Sequence, residues 1–327
     1  MNLKSNIPLA YVEISKNNLI HNIRQFKKLI HKDTEVIAVI KANAYGHGLA
    51  EIVKILDPHV NYFQVNSLEE LEEVRAISNK QTFVLGYVQE SEIIKAIKLR
   101  CILSIFSLNI LKEVNEKAKK LKVVQEIHLA IDAHLGREGF LLNELPSLFK
   151  KIKMYKNINL SGMYAHFANI EDTTNFSHAD KQIKEYKEAV KLAKEYGFNN
   201  LQNHISATSG LLVYEKNEGI HPLVRIGIGI YGLWPSEYLK YIYQRDEKFI
   251  LKPILTWKTK IAQIKILGKG ETVGYGLTFK ANKKMKIALI PQGYSNGLDR
   301  RSSNKGKFLI TGKYCKILGK VMMNMTV

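Results

Sequence analysis

The sequence predicts an α/β fold: a (β/α)8 TIM-like barrel followed by a smaller, mostly β C-terminal domain. Short apolar runs alternate with stretches of helical period over the first two thirds of the chain. The alternation repeats about eight times within roughly 230 residues, which suits a closed barrel better than an open sheet. No Gly-rich dinucleotide fingerprint follows the first predicted strand, which further disfavours an open, doubly wound sheet.

Apolar spacing and capping residues place the elements of the barrel. Apolar residues at helical spacing predict helices over 16–30, 68–77, 108–121 and 179–193. Ser67 and Glu70 have the spacing of a capping box, which marks a helix N-terminus. Short runs rich in Val, Ile and Leu predict buried strands at 35–40, 82–85 and 126–131.

The C-terminal part of the sequence has a different pattern, beginning near Leu251. Apolar and polar residues alternate there, as over 256–261, and glycine-containing turn signals recur without helical periodicity. We therefore assign residues 1–240 to the barrel and residues 241–327 to a β domain.

Composition limits the classes of protein and partner. The net charge is +19, but it comes from 41 Lys and only 8 Arg spread along the chain. Nucleic-acid readers depend on Arg for bidentate contacts, so we expect no nucleic-acid partner. Two distant cysteines, Cys101 and Cys315, predict neither a disulfide framework nor a metal site. Neither a leader nor a membrane-length apolar run is present, so we expect a cytoplasmic protein.

Lys41 stands where the predicted strand over 35–40 ends. Catalytic side chains of (β/α)8 barrels gather at the carboxyl ends of the strands. An amine held there and partly shielded from water is available to attack an aldehyde. The position fits equally well a lysine whose stem lies along the strand end while its ammonium reaches solvent.

The stretch Val39-Ile40-Lys41-Ala42-Asn43-Ala44-Tyr45-Gly46-His47-Gly48 resembles the pyridoxal-phosphate lysine segment of the alanine racemases. That family has fold-type III, a (β/α)8 barrel followed by a β domain. The resemblance extends over nearly the whole chain. It implies that Lys41 binds pyridoxal 5'-phosphate as a Schiff base and that Tyr45 reaches the cofactor's phosphate.

A second segment, Gly274-Tyr275-Gly276-Leu277-Thr278-Phe279, is similar to the family's tyrosine segment. Inverting a Cα centre requires removing a proton on one face and returning one on the other, so two acid–base groups are needed. The resemblance implies that Lys41 and Tyr275 are this catalytic pair. It also implies a homodimer with shared active sites, because the family's tyrosine acts from the partner subunit.

Three further segments resemble cofactor-binding parts of the family. In the segment 224–233, Arg225 would hydrogen-bond the pyridine nitrogen, while the backbone N–H groups of Gly227 and Ile228 would bind the phosphate. His166, in a segment similar to the family's histidine segment, would join this site near the catalytic tyrosine. The segment 204–210 resembles the one that supplies a phosphate-binding hydroxyl, and the choice between Thr208 and Ser209 stays open.

Two substrate-binding positions depart from the family pattern. Arg137 would contact the substrate carboxylate, but Ala130 stands where many members have a carbamylated lysine that steadies this arginine. Arg137 then needs another anionic partner, either a bound chloride or Glu138. The backbone of Met323 would approach the same carboxylate, although Asn324 replaces a frequent aspartate. The family pattern also continues beyond residue 327, so we expect an incomplete β domain.

The resemblance implies an alanine racemase, an isomerase that interconverts L- and D-alanine by a two-base mechanism and supplies D-alanine for cell-wall peptidoglycan. Ala130 leaves open a broad-specificity amino-acid racemase of the same fold. A pyridoxal-phosphate-binding protein with little turnover is a further alternative.

Overall fold

The computed structural model describes residues 8–215, 221–245 and 249–327. Residues 1–7, which the expectation of no leader also covers, lie outside the described residues. The chain forms two compact units, one being Ser15–Ile254 and the other joining the residues up to Ile14 with Leu255–Val327. Strand β1 (Ala10–Ile14) pairs antiparallel with Leu255–Thr259, which explains why the N-terminal residues belong to the β unit. This division differs from the predicted boundary between residues 240 and 241, because Glu237–Gln244 is a helix and belongs to the barrel unit.

The barrel unit contains a parallel sheet. Its strands are β2 (Glu35–Val39), β3 (Tyr62–Val65), β4 (Thr82–Val84), β5 (Ile102–Ile105), β6 (Gln125–Ala130), β7 (Ile158–Tyr164) and β8 (Leu223–Ile226). Their order is β7-β6-β5-β4-β3-β2-β8, so β7 and β8 form the two edges. The strands predicted at 35–40, 82–85 and 126–131 are confirmed as β2, β4 and β6.

A short extended segment joins these two edges. The amides of Gln202 and His204 donate to β7, at Ser161 O (2.7 Å) and Met163 O (3.0 Å). On the other side, the amide of Arg225 in β8 donates to Ser206 O at 3.1 Å. The segment 202–206 therefore acts as the eighth strand, and the prediction of a TIM-like barrel is confirmed.

Eight α-helices of six or more residues, among the described residues, accompany the barrel strands. They are α1 (Lys16–Lys27), α2 (Leu49–Leu56), α3 (Leu68–Arg75), α4 (Ile93–Lys98), α5 (Leu108–Leu121), α6 (Leu145–Met154), α7 (Ser177–Glu195) and α8 (Glu237–Gln244). The side chains of Ser15, Ser67 and Ser107 cap α1, α3 and α5 by accepting backbone amides. The four predicted helices are thereby confirmed as α1, α3, α5 and α7. Among the described residues, no helix has the length and apolar character needed to cross a membrane.

Large side chains fill the inside of the barrel. Ile37, Tyr62, Phe83, Ile102 and Leu223 come from five different strands and form one buried cluster. Such a packed layer leaves no channel at this level, so a ligand site must lie at an end of the barrel.

The β unit is built from antiparallel pairs. Its remaining strands are β9 (Leu255–Thr259), β10 (Gln263–Leu267), β11 (Thr272–Val273), β12 (Phe279–Lys280), β13 (Met285–Leu289), β14 (Lys307–Ile310) and β15 (Lys313–Lys316). The pairs are β1–β9, β10–β13, β11–β12 and β14–β15. Leu267, Val273, Ala281 and Ile287 form its buried core. This confirms the predicted mostly β C-terminal domain.

Candidate active site

A cavity of about 540 Å³ lies at the carboxyl ends of the barrel strands. The lining residues that the structure describes all belong to the barrel unit. The lining includes the sequence-predicted residues Lys41, Tyr45, Arg137, His166, Thr208, Ser209, Arg225, Gly227 and Ile228. Residues far apart in sequence thus meet at the end of the barrel where active sites of this fold form.

Lys41 follows β2 after one residue and is half-buried at the cavity. The next four residues, Ala42 to Tyr45, have φ angles of 53°, 52°, 52° and 55°. Residues other than glycine avoid this left-handed region, because adopting it costs about 1–2 kcal/mol per residue. The surrounding structure must therefore hold the turn in place. Asn43 contributes to this, because its Oδ1 accepts the amide of Leu49 at 2.8 Å.

Aromatic rings support the same turn. Tyr231 is buried, and its hydroxyl donates to Val39 O at 2.8 Å, at the end of β2. The ring of His47 stacks on Tyr231 with centroids 4.5 Å apart, and Tyr45 packs against it at 5.2 Å. These contacts fix the backbone on both sides of Lys41.

Hydroxyl groups gather around Gly227. A Cβ atom at this position would lie 2.9 Å from the Tyr45 hydroxyl, so the glycine permits this close approach. Thr208 Oγ1 accepts the amides of Gly227 (3.2 Å) and Gly229 (3.4 Å), so the Gly227 amide already has a partner. Thr208 can still donate its own hydroxyl proton, and Ser209 lines the cavity beside it. Burial raises the pKa of Tyr45, which keeps its hydroxyl a donor.

Arg225 is a buried cation at this site. Its Nη2 donates to Ala165 O and Ile205 O, both at 2.7 Å, and lies 3.3 Å from His166 Nδ1. Burial lowers the pKa of Arg225 to about 10, so the guanidinium stays charged at neutral pH. The side-chain hydrogen bonds of Arg225 to described residues all involve Nη2, and the side chain lines the cavity.

His166 is neutral because of this neighbourhood. Burial, followed by the charges of Arg225, Arg137 and Lys41, lowers the pKa of His166 to about 3. A guanidinium cannot accept a hydrogen bond, so a hydrogen bond at this contact requires an unprotonated Nδ1 and a ring proton on Nε2. Next to it, Tyr164 lies under the Arg225 guanidinium at 5.5 Å and shares a hydrogen bond with the Ser104 hydroxyl.

Arg137 has a carboxylate partner. Its Nη2 donates to Glu138 Oε1 at 2.7 Å, and its Nε donates to the other carboxylate oxygen. Donation of hydrogen bonds to Glu138 raises the pKa of Arg137. Burial raises the pKa of Glu138, but the contact with Arg137 outweighs it and leaves the pKa of that carboxyl below its usual value. Chloride and Glu138 are the two anions predicted as partners of Arg137, and in the structure Glu138 contacts it. Ala130 is buried at the end of β6.

Tyr275 and Met323 belong to the β unit and do not line the cavity. Tyr275 lies between Gly274 and Gly276, whose φ angles are 69° and 72°, and its side chain is 73% exposed. The Lys320 ammonium lies 3.0 Å from where a Cβ of Gly276 would be, which places a cation beside this turn. Met323 O accepts the amide and the hydroxyl of Ser295 at 3.0 and 2.7 Å.

Sequence reasoning missed several residues of the cavity. Gln64 and Asn66 line it from the end of β3, a strand that was not predicted. The signal was a short apolar run, Tyr62-Phe63-Gln64-Val65, followed by a polar side chain. Tyr87 and Phe106, at the ends of two further strands, complete one wall.

Comparison with known families fits this arrangement. The sequence model of the alanine racemase N-terminal domain matches residues 14–235, and that of the alanine racemase C-terminal domain matches residues 254–327. The chain belongs to the alanine racemase family. The resemblance inferred from the motifs is thereby confirmed.

Individual alanine racemases match along most of their length. The enzyme of Leptospira interrogans is 33% identical over 97% of this chain and 81% of its own. The Clostridium difficile 630 structure has a TM-score of 0.88 at 29% identity, covering 98% of this chain and 82% of its own. The Bacillus anthracis structure with bound L-Ala-P has a TM-score of 0.84 at 30% identity, covering 98% and 81%.

Proposed function

We propose that this chain is an alanine racemase that interconverts L- and D-alanine with pyridoxal 5'-phosphate bound at Lys41. Membership of the alanine racemase family supports the reaction. The observation that carries the cofactor assignment is the meeting of an amine, a group of hydroxyls and a buried cation in one cavity. Lys41, the hydroxyls near Gly227 and Arg225 all line it.

The residues of the cavity fit this cofactor. Lys41 can hold its aldehyde carbon, and the hydroxyls of Tyr45, Thr208 and Ser209, with the amide of Ile228, suit its phosphate. Arg225 has guanidinium N–H groups beyond Nη2 for the ring nitrogen. When bound, the cofactor supplies an electron sink for the electron pair left at Cα.

Arg225 and Arg137 have separate tasks in this proposal. A cation at Arg225 disfavours protonation of the neighbouring ring nitrogen, which favours return of the proton to Cα over transamination. Arg137 binds the substrate carboxylate and so orients Cα between the two acid–base groups. Glu138 takes two N–H groups of the guanidinium, which leaves three for the substrate.

Proton transfer is assigned to Lys41 on one face of Cα and to Tyr275 on the other. Tyr275 is an exposed residue of the β unit, and the Lys320 ammonium lies beside its turn. We assign Tyr275 to the site of a partner copy, so that the active form is a homodimer. The product, D-alanine, would be made in the cytoplasm and would serve cell-wall peptidoglycan.

Borohydride reduction of the purified holoenzyme tests the cofactor assignment, because it fixes the cofactor on the lysine that binds it. We expect the label on Lys41, together with racemisation of alanine well above that of serine and lysine. A label on another lysine would refute the assignment. Comparable turnover of serine or lysine would favour a broad-specificity racemase, whereas labelling without exchange of the alanine α-hydrogen would favour a binding protein.

A further inference from the structure

Glu70, in the first turn of α3, departs from the capping geometry that its position predicts. The glutamate of a capping box accepts the amide of the N-cap residue itself, here Ser67. In the structure, Glu70 Oε2 accepts the amide of Asn66 at 2.8 Å. Its other oxygen, Oε1, accepts the amide of Ala42 at 2.5 Å. The carboxylate therefore connects the polypeptide after β3 with the polypeptide after β2.

Both partner amides belong to segments that shape the cavity. Ala42 follows Lys41 directly and begins the left-handed turn. The first backbone hydrogen bond of that turn runs from the Ala44 amide to Ile40 O, so the Ala42 amide needs an acceptor from elsewhere. Glu70 is that acceptor, and it is half-buried.

The second partner extends the connection to another wall. Asn66 lines the cavity, and its carbonyl oxygen lies 2.0 Å from where a Cβ of Gly86 would be. The segments after β3 and β4 are thus in close contact. One carboxylate therefore holds the Lys41 turn against a wall of the same cavity.

We propose that Glu70 is a positioning residue, which fixes the Lys41 backbone so that the amine faces the cofactor. The inference rests on the proposed function, because it takes Lys41 to be the cofactor lysine. A carboxylate has two acceptor oxygens and no donor, which matches two converging N–H groups. Glutamine presents one oxygen and one NH2 group, so it satisfies only one of the two amides. Aspartate keeps the charge but is too short to reach both.

The test compares Glu70→Gln, Glu70→Asp and Glu70→Ala with Glu73→Gln, an exposed change in the same helix. Each holoenzyme is stripped of cofactor and titrated with pyridoxal phosphate, while the visible absorbance of the lysine imine is followed. We expect the apparent Kd to rise about tenfold in E70Q and E70D, and further in E70A. E73Q should bind as the parent does, and the KM for alanine at saturating cofactor should stay within about twofold in E70Q.

Melting of the cofactor-free proteins separates this role from a merely structural one. If Glu70 only stabilised α3, E70Q and E70D would melt earlier without cofactor yet bind pyridoxal phosphate as the parent does, which would overturn the proposal. Borohydride labelling of the parent protein shows which lysine binds the cofactor, and the variants are judged against that result. A parent labelled at Lys41, with unchanged affinity in E70Q and E70D, refutes the Glu70 proposal alone. A parent labelled elsewhere refutes the proposed function as well.

Discussion

If Lys41 and Tyr275 act in one site from two chains, then two inactive variants should restore each other's activity. The variants are Lys41→Ala, which lacks the amine, and Tyr275→Phe, which lacks the phenol proton. In a mixed dimer, one site receives Lys41 from the Tyr275→Phe chain and Tyr275 from the Lys41→Ala chain. The other site lacks both groups.

The structure and the dimer symmetry set the expected size of the effects. The Tyr275 side chain is 73% exposed, so its change to Phe should alter the free energy of unfolding by less than about 0.5 kcal/mol. Loss of one acid–base group should slow racemisation by about 10² to 10⁴-fold. Random reassociation makes half of the dimers mixed, each with one complete site of two, so about a quarter of the parent activity should return.

The assay is exchange of the alanine α-hydrogen with deuterated water, together with inversion measured from each enantiomer. Tyr314→Phe, a change at a 76% exposed tyrosine of the same unit, is the matched control and should keep full activity. Differently tagged variants allow mixed dimers to be purified through both tags. Mixed dimers that show no more activity than the separate variants would refute the shared site, and an active Tyr275→Phe protein would refute the role of the phenol.

Three further predictions concern the barrel unit. Arg137→Gln should raise the KM for alanine about tenfold or more while cofactor titration stays unchanged, and an unchanged KM would contradict its contact with the substrate. Gly227→Ala should push away the Tyr45 hydroxyl, 2.9 Å from the new methyl group, and weaken cofactor binding several-fold by the same titration. The pKa values of His128 and His166 are about 3, against 6.5 when unfolded, so only the unfolded chain takes up these protons as the pH falls below 6.5. Urea unfolding should show a free energy of unfolding about 2 kcal/mol lower at pH 5 than at pH 7 for each such histidine, because the slope reaches about 1.4 kcal/mol per pH unit only below pH 6.5, and His128→Gln should reduce that loss.

The barrel was largely predictable because most of its elements carry their own local pattern. Helix α5 has a serine cap and an apolar face, and β6 is a run of buried residues. The eighth strand has no such pattern, because Asn203, His204 and Ser206 in it are polar and nonetheless buried. Its backbone hydrogen bonds to neighbouring strands define it, and they are non-local.

The candidate site likewise has residues that a local sequence pattern predicts and contacts that no such pattern predicts. Lys41, Arg225 and Tyr275 stand in motifs long enough to be found in the sequence alone. Glu70 has the local spacing of a helix cap, and that spacing places α3 correctly. The contact of its carboxylate with Ala42 spans 28 residues and depends on the neighbouring positions of β2 and β3 in the sheet. A local sequence pattern cannot predict a contact between residues so far apart in the chain.

The pairing of β1 with β9 has a consequence for synthesis of the chain. The segment Ala10–Ile14 leaves the ribosome about 240 residues ahead of its partner Leu255–Thr259. At about 5–20 residues per second, the first strand waits about 12–50 s for its partner. The intervening residues can collapse around their own apolar interior meanwhile. Throughout that interval the leading strand has a free edge, open to nascent neighbours on the same messenger.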